Sequence, residues 1–500
     1  EAKTFLDAPY SKNKRSDLID ALLERPEFAD YWAMKWADTL RIKAEFPVNL
    51  WPNAAQIYHH WVRTAIAENK PYDQFVRELL TSSGSNFRVG PVNFYRALQN
   101  KTPEGIASGV ALTFMGVRSE SWPQQQLDNL SVFFSQVGYK PTSEWKEEHV
   151  FWDPLGSTRL AGQSAPGSAV VTTAVVEKNT NPPPQNIDAP LNAVFPDGSP
   201  VTIQPDRDPR EVFADWLITP ENPWFARCAV NRTWAWLLGR GIIHQPDDIR
   251  DDNPPSNPEL LAWLENEFVR SGYNTKHLIG LILNSKTYQL SSVSNTEHPE
   301  AAKQFAAYPL RRLEAEVLID AVNGITGSSD LYTSAIPEPF TYIPKDQSAV
   351  SIADGSITSS FLALFGRSAR ATGKADERIN RTSPQQQLHM LNSGHIQNKL
   401  KTSSTLRALA KDLNKPEEIA DNLYLTILSR HPTDEEVQTI LSYGKIDFKP
   451  PAVSENNAPK DKKARALLRK QTRELYQERM QDWIDVAWAL MNSPEFLYRH

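Results

Sequence analysis

Three times in this chain a residue able to cap a helix stands directly before a proline: Asp208-Pro209, Asn257-Pro258 and Ser383-Pro384. The capping side chain accepts a hydrogen bond from an amide that the helix leaves orphaned. Proline at the next position loses nothing, because that amide has no partner inside the helix. Apolar residues follow each device at helical spacing. They are Val212, Phe213, Trp216 and Leu217 after the first, Leu260, Leu261, Leu264 and Phe268 after the second, and Leu388 and Leu391 after the third. Gly272 is placed to end the second helix. Three helix starts are therefore marked by local chemistry alone.

The same period runs through the first hundred residues. Phe28, Trp32, Trp36 and Leu40 recur every four positions, with Lys35, Asp38 and Arg41 beside them. Asn53 is placed to cap a helix carrying Ile57, Trp61 and Ile66, and Pro71 to open another through Phe75 and Leu79. Residues 465–496 close the chain with a helical run holding Trp483, Val486, Trp488, Leu490 and Met491. The predicted fold is mainly α.

A chain of 500 residues exceeds what one core holds, roughly 250–300 residues. Glycine, serine and proline crowd residues 153–208, including Pro182-Pro183-Pro184. Within that stretch residues 169–176 read as a strand, and a turn at 195–200 leads into a short strand, Val201-Thr202-Ile203. The expected organisation is a helical domain at 1–150, a connector with a small β element at 151–207, and a second helical domain at 208–500. Residues 328–360 read as irregular, and a polar linker at 449–464 interrupts the second domain.

Charge and motifs exclude several classes. The 54 basic and 60 acidic residues are mixed along the chain, with net charge −6 and no long basic stripe, so no nucleic-acid partner is expected. The densest basic cluster, at 460–465, reads as a solvated face or linker. No apolar run reaches the roughly 18–20 residues of a membrane span, and 109–117 is the nearest. The one cysteine, Cys228, lies in an apolar run at 225–230 and reads as a buried thiol. Phosphate loops, zinc helices and nucleophile elbows are absent from the sequence, and the adjacent His59-His60 point about 100° apart on a helix. No metal and no cofactor are expected. The chain opens at Glu1, which points to a processed or trimmed start.

Motifs in the first part, Leu22-Leu23-Glu24-Arg25-Pro26-Glu27-Phe28, Trp36-Ala37-Asp38-Thr39-Leu40-Arg41 and Pro71-Tyr72-Asp73-Gln74-Phe75-Val76-Arg77, resemble the planctomycete cytochrome-associated domain. Those of the second part resemble the planctomycete-specific domain that usually follows it. They include Asp208-Pro209-Arg210, Asn231-Arg232, Gly239-Arg240-Gly241, Pro246-Asp247-Asp248, Arg311-Arg312-Leu313-Glu314-Ala315-Glu316, Phe365-Gly366-Arg367 and Leu388-His389-Met390-Leu391-Asn392-Ser393. Both domains are of unknown function. The resemblance implies a periplasmic, cell-surface or secreted protein whose partner is a second secreted protein or another copy of itself. Many relatives carry a Cys-x-x-Cys-His haem box after the apolar stretch. Here that place reads Val117-Arg118-Ser119-Glu120-Ser121-Trp122-Pro123, with neither thiol nor imidazole, so covalent haem is excluded there.

Three readings stand: a binding or scaffold component of an extracytoplasmic assembly, a carbohydrate-binding or carbohydrate-active protein, and a docking partner of a separate c-type cytochrome. No catalytic residue is nominated. The candidate ligand-binding residues are Asp38, Arg41, Tyr72, Asp73, Arg232, Asp247, Asp248, Arg311, Arg312, Glu316, Arg381 and His389. For a sugar-active site the acids are Asp38, Asp73, Asp247, Asp248, Glu314 and Glu316, although Glu314 and Glu316 do not share a helix face. Arg232, Arg311 and Arg381 could converge on a carboxylate or phosphate, or simply make structural salt bridges. Arg41 with Asp38 and Arg312 with Glu316 have the spacing of helix-stabilising pairs. Trp32, Trp36, Trp216 and Trp263 sit at core spacing, where packing competes with sugar stacking.

Overall fold

A computed structural model of the chain describes residues 1–158, 189–410, 413, 415–447 and 462–499. The strand expected at 169–176 and most of the polar linker lie outside the described residues. Helix dominates, with only small sheets beside it.

After a short helix at Ala2–Asp7, the helices that matter in the first part are α1 (Lys14–Leu23), α2 (Pro26–Thr39), α3 (Pro52–Ala67), α4 (Tyr72–Thr81) and α5 (Pro103–Val110). The stripe expected on α2 is buried at Trp32 and Trp36, and Leu40 just past its end is buried too. The start of α3 differs from expectation. Pro52 takes its first position and Trp51 the cap, which leaves Asn53 inside the first turn with no capping bond. Proline is preorganised for the first helical position, so the boundary falls one residue early. Helix α5 runs into a π-turn, Ala111–Met115, that ends at Gly116 in a left-handed conformation.

A three-stranded antiparallel sheet flanks these helices, in the order β1 (Gly84–Ser85), β3 (Glu148–Trp152), β2 (Val137–Pro141). The turn at 195–200 joins a hairpin of β4 (Leu191–Val194) and β5 (Pro200–Ile203), paired from Leu191 with Ile203 to Val194 with Pro200.

The cap-and-proline devices then open helices as expected. Asp208 accepts from the Arg210 amide at the start of α6 (Pro209–Leu217). After α7 (Phe225–Leu238), Asn257 accepts from the Leu260 amide at the start of α8 (Pro258–Arg270), and α9 (Thr275–Asn284) follows. The remaining helices that matter here are α10 (Ala315–Thr326), α11 (Pro384–Asn392), α12 (Gly394–Thr402), α13 (Pro416–Ile427) and α14 (Lys462–Met491). At α11, Ser383 and Gln386 form a reciprocal capping box.

Two hydrophobic cores result. One gathers residues from Ile19 to Tyr308, and the other gathers residues from Ala315 to Phe496. In the first, Trp236 of α7 lies against Trp32 and Trp36 of α2 at 5.6 and 5.5 Å, and Phe225 stacks on Tyr72 at 5.1 Å. The cores thus divide between Tyr308 and Ala315, whereas the segments 1–150, 151–207 and 208–500 follow composition. A stretch rich in proline and glycine marks a connection, and it carries no information on whether the helices at its two ends share a core. Strands β6 (Arg311–Arg312) and β7 (Tyr498–Arg499) pair antiparallel at the division and bring the C-terminal residues there.

Trp263 departs from the packing expectation. It is 52% exposed, because the buried face of α8 is set by Leu261, Leu264 and Phe268. Two residues on from Leu261 it points about 200° away from that face. No helix among the described residues is long and apolar enough to cross a membrane.

Candidate functional site

Charged side chains concentrate where the two cores meet. Tyr31, Lys35 and Asp38 fall at i, i+4 and i+7 on α2, which places them on one face. Opposite them stand Glu314 and Glu316 at the entry to α10, the arginines of the 365–381 loop, and Arg499 on β7. Asp38 accepts from Arg370 at 3.0 Å and from Arg378 at 2.9 Å. Arg378 also forks onto Glu316 with bonds of 2.6 and 2.9 Å, and Arg367 lies 3.3 Å from the same carboxylate. Glu314 accepts from Lys35 at 2.6 Å and from Tyr31 at 3.3 Å, and it also pairs with Arg499. Each of the three acids is held by two cations.

Burial sets the stakes of this seam. Glu314, Glu316 and Arg370 are almost fully excluded from solvent. Desolvation alone would raise the Glu316 carboxyl, but the Arg378 charge and hydrogen bonds, with Arg367, bring it down to about 2. Glu314 responds in the same way: burial pushes it up, and Lys35 and Arg499 carry it well below the usual carboxylate range. These acids remain ionised at any ordinary pH.

Two pairings expected from spacing are not made. Asp38 bonds to arginines of the distant loop and not to Arg41. The chain leaves α2 through a left-handed Arg41 (φ 59°), which turns its guanidinium onto the Thr372 carbonyl at 2.9 Å. Arg312 lies in β6, before α10 begins, and cannot meet Glu316 across a helix turn. It donates instead to the Phe365 and Ile379 carbonyls at 2.6 and 3.2 Å, bracing the two ends of the arginine loop.

Arg232 and Asp247 continue the polar seam. Arg232, on α7, satisfies the carbonyls of Thr113 (2.6 Å) and Leu112 (3.1 Å) in the π-turn, with Asp247 4.0 Å away. Asp247 accepts the Ala375 amide at 2.7 Å. Of the twelve candidates, Asp38, Arg41, Arg232, Asp247, Arg312 and Glu316 therefore gather along the 365–381 loop.

Of the other six, Arg381 ends that loop but makes no ion pair with the described residues of the seam, and the rest lie elsewhere. Tyr72 packs in the aromatic core, its hydroxyl without a partner among the described residues and its phenol pushed up by burial. Asp73 begins α4, and Asp248 pairs with Arg250 at 3.4 Å. Arg311 caps the end of α7 through the Trp236 and Leu237 carbonyls at 3.2 and 2.6 Å. Arg381 is exposed. His389 contacts His395 at 3.3 Å, and His395 reaches Asp330 at 2.9 Å, a separate half-buried cluster on α11 and α12. Arg232, Arg311 and Arg381 thus do not converge, and the first two serve backbone carbonyls.

Two cavities border the seam. The aromatic one, lined by Trp32, Trp36, Tyr72, Phe75 and Trp236, is small, at about 40 Å³. The other measures about 230 Å³ and lies between the loop at 371–374, the end of α2, and α5 with the residues that follow its π-turn. Arg41, Arg118 and Lys374 line it, with Glu120 the one acid among its lining residues. Gly373 (φ 74°) lets the loop approach: a Cβ there would stand 2.6 Å from the Thr39 carbonyl and 2.9 Å from the Arg41 guanidinium carbon. The segment 117–123 on this wall has neither thiol nor imidazole, and Cys228 is buried in the first core, so the residues present do not fit covalent haem.

Arg118, Arg370, Lys374, Arg378 and Arg499 escape a reading by motif. For Arg370 and Arg378 the one signal in sequence is the density of arginine between 367 and 381. That signal gives no partner.

Residues 1–118 match the family described as PSCyt2, protein of unknown function (DUF1549), and residues 209–443 match PSD1, protein of unknown function (DUF1553). No curated protein and no solved structure matches the chain.

Proposed function

From the premise that this chain joins a PSCyt2 domain to a PSD1 domain, we propose that it is a non-haem binding component of an extracytoplasmic protein assembly. The observation that carries this reading is the state of the seam acids. Asp38, Glu314 and Glu316 are each engaged by two cations. A general acid needs a pKa near the working pH, and Glu316, held at about 2, is far from one. Such a network suits a rigid joint between two packed bodies better than proton transfer. Its partner would be a second secreted protein or another copy of the chain.

A surface feature favours carbohydrate binding as the second reading. Trp51 and Phe340 meet edge-on at 5.3 Å, and the Lys146 ammonium lies 5.7 Å from the Trp51 ring and 5.2 Å from Trp145. Trp145 is 70% exposed. Open aromatic faces of this kind stack on sugar rings or dock partners. Docking to a separate c-type cytochrome rests on the family resemblance alone.

Native mass spectrometry of the protein isolated gently from its source envelope tests the ranking. The expected result is one dominant protein partner or a clean multiple of the protein's own mass. Bare monomer throughout would overturn the assembly reading, bound glycan would promote the second, and a co-isolated haem protein the third.

A further inference from the structure

The seam sets one pattern for buried charge: carboxylates are brought to the arginines. The neighbouring cavity breaks that habit. Arg41 is only 4% exposed, and no carboxylate among the described residues lies within ion-pair distance of it. It has the Thr372 carbonyl at 2.9 Å and a long contact of 3.4 Å to the Thr113 hydroxyl. Across the cavity, Nε and Nη2 of Arg118 are buried with no hydrogen-bond partner among the described residues. The carboxylate of Asp376 is 3.6 Å from Arg118 and itself 54% exposed. Lys374 completes the wall. Glu120, 3.4 Å from it, is 70% exposed and sits at the rim.

Three cations therefore face about 230 Å³ of space, with two exposed acids, Glu120 and Asp376, at its edge. Burial lowers the Arg41 guanidinium to about 10. A buried charge such as that of Arg41 calls for a partner of opposite sign. Guanidinium groups offer paired donors that match the oxygens of a carboxylate, sulfate or phosphate.

We propose that this cavity, between Arg41, Arg118 and Lys374, binds the oxyanion group of a small ligand: a carboxylate, sulfate or phosphate, free or carried by a sugar. The inference goes beyond the assembly reading and does not depend on it. Arg41 is the buried anchor, fixed by its left-handed backbone and by the close approach of Gly373. Arg118 lines the opposite wall, its charge shared among the described residues only with the exposed Asp376. Lys374, at 31% exposure, closes the mouth, and the Gln99 amide holds the loop that carries it by donating to the Ala371 carbonyl at 2.8 Å.

Isothermal titration of the whole protein with sodium sulfate, sodium phosphate and sodium acetate, each against sodium chloride at matched ionic strength, tests this directly. At least one oxyanion should give saturable heat where chloride gives none. Arg118→Gln and Lys374→Gln should each weaken that binding about tenfold, the usual effect of losing one charge-assisted bond. Both side chains are partly exposed, so circular dichroism and melting should be unchanged and misfolding can be separated from lost binding. Glucose 6-sulfate against sulfate and plain glucose then identifies the source. Tighter binding of the sugar sulfate supports a glycan substituent, and equal binding supports a free anion. Absence of saturable binding for all three oxyanions, or unchanged affinity in both variants, would overturn the proposal.

Discussion

The seam and the cavity lie side by side, share the loop at 365–381, and are both built on buried arginine, yet they are finished differently. In the seam, Arg367, Arg370 and Arg378 meet Asp38 and Glu316 within 3.3 Å. In the cavity, Arg41 and Arg118 meet carbonyl and hydroxyl groups, an exposed acid 3.6 Å away and empty space. A buried cation with its anion in the chain is part of the architecture. Arg41, buried without one, lines a cavity that an anion from outside can enter. The contrast separates residues that hold this molecule together from residues free to recognise something.

The largest effect should come from breaking the seam. Arg378→Ala leaves Asp38 and Glu316 short of their shared counter-charge, and should destabilise the protein by about 3–5 kcal/mol in urea unfolding followed by tryptophan fluorescence. A loss under about 1 kcal/mol would put the seam in the same class as the cavity.

Acid should weaken the seam next. Folding lowers Glu316 from its ordinary 4.5 to about 2. A depressed acid contributes stability that is fully present above pH 4.5 and is lost as pH falls through about 2. The loss is on the order of 3 kcal/mol. Glu316→Gln should flatten the dependence of unfolding free energy on pH in that window, and an unchanged slope would show that other groups govern it.

Gly373→Ala addresses the wall shared by both regions. A side chain at φ 74° pressed against the Thr39 carbonyl should cost roughly 1–2 kcal/mol, read as a lower melting temperature. It should also weaken oxyanion binding, because the loop would be pushed off Arg41. The smallest effect is expected at Arg118→Gln, within about 0.5 kcal/mol of the parent, since the guanidinium removed had little to compensate it. A large destabilisation there would assign Arg118 to the architecture and erase the distinction.

Much of the helix framework was legible from residue order. Asp208, Asn257 and Ser383 cap the helices they announce, and Trp32 and Trp36 are buried as their period predicts. Half of the candidate residues gather at the seam, drawn there by motifs shared with two domains of unknown function. Legibility failed where two rules competed for one residue. Asn53 could cap, but Pro52 took the first position of α3; Arg41 could pair with Asp38 along a helix, but the helix ended before it.

What the sequence determined by itself was local: where the capped helices begin, and that no thiol or imidazole stands at 117–123, whereas Leu388 and Leu391, expected on the apolar side of α11, are exposed. Capping bonds and helical periods join residues a few positions apart, so their physics is written in short stretches of chain. The choice of partner for each buried charge was left to the tertiary structure. Asp38 and Arg370 are 332 positions apart, and Glu314 and Lys35 are 279 apart. Only the packing of one core against the other decides which of many similar arginines loses its water beside a carboxylate, and which loses it beside an open cavity.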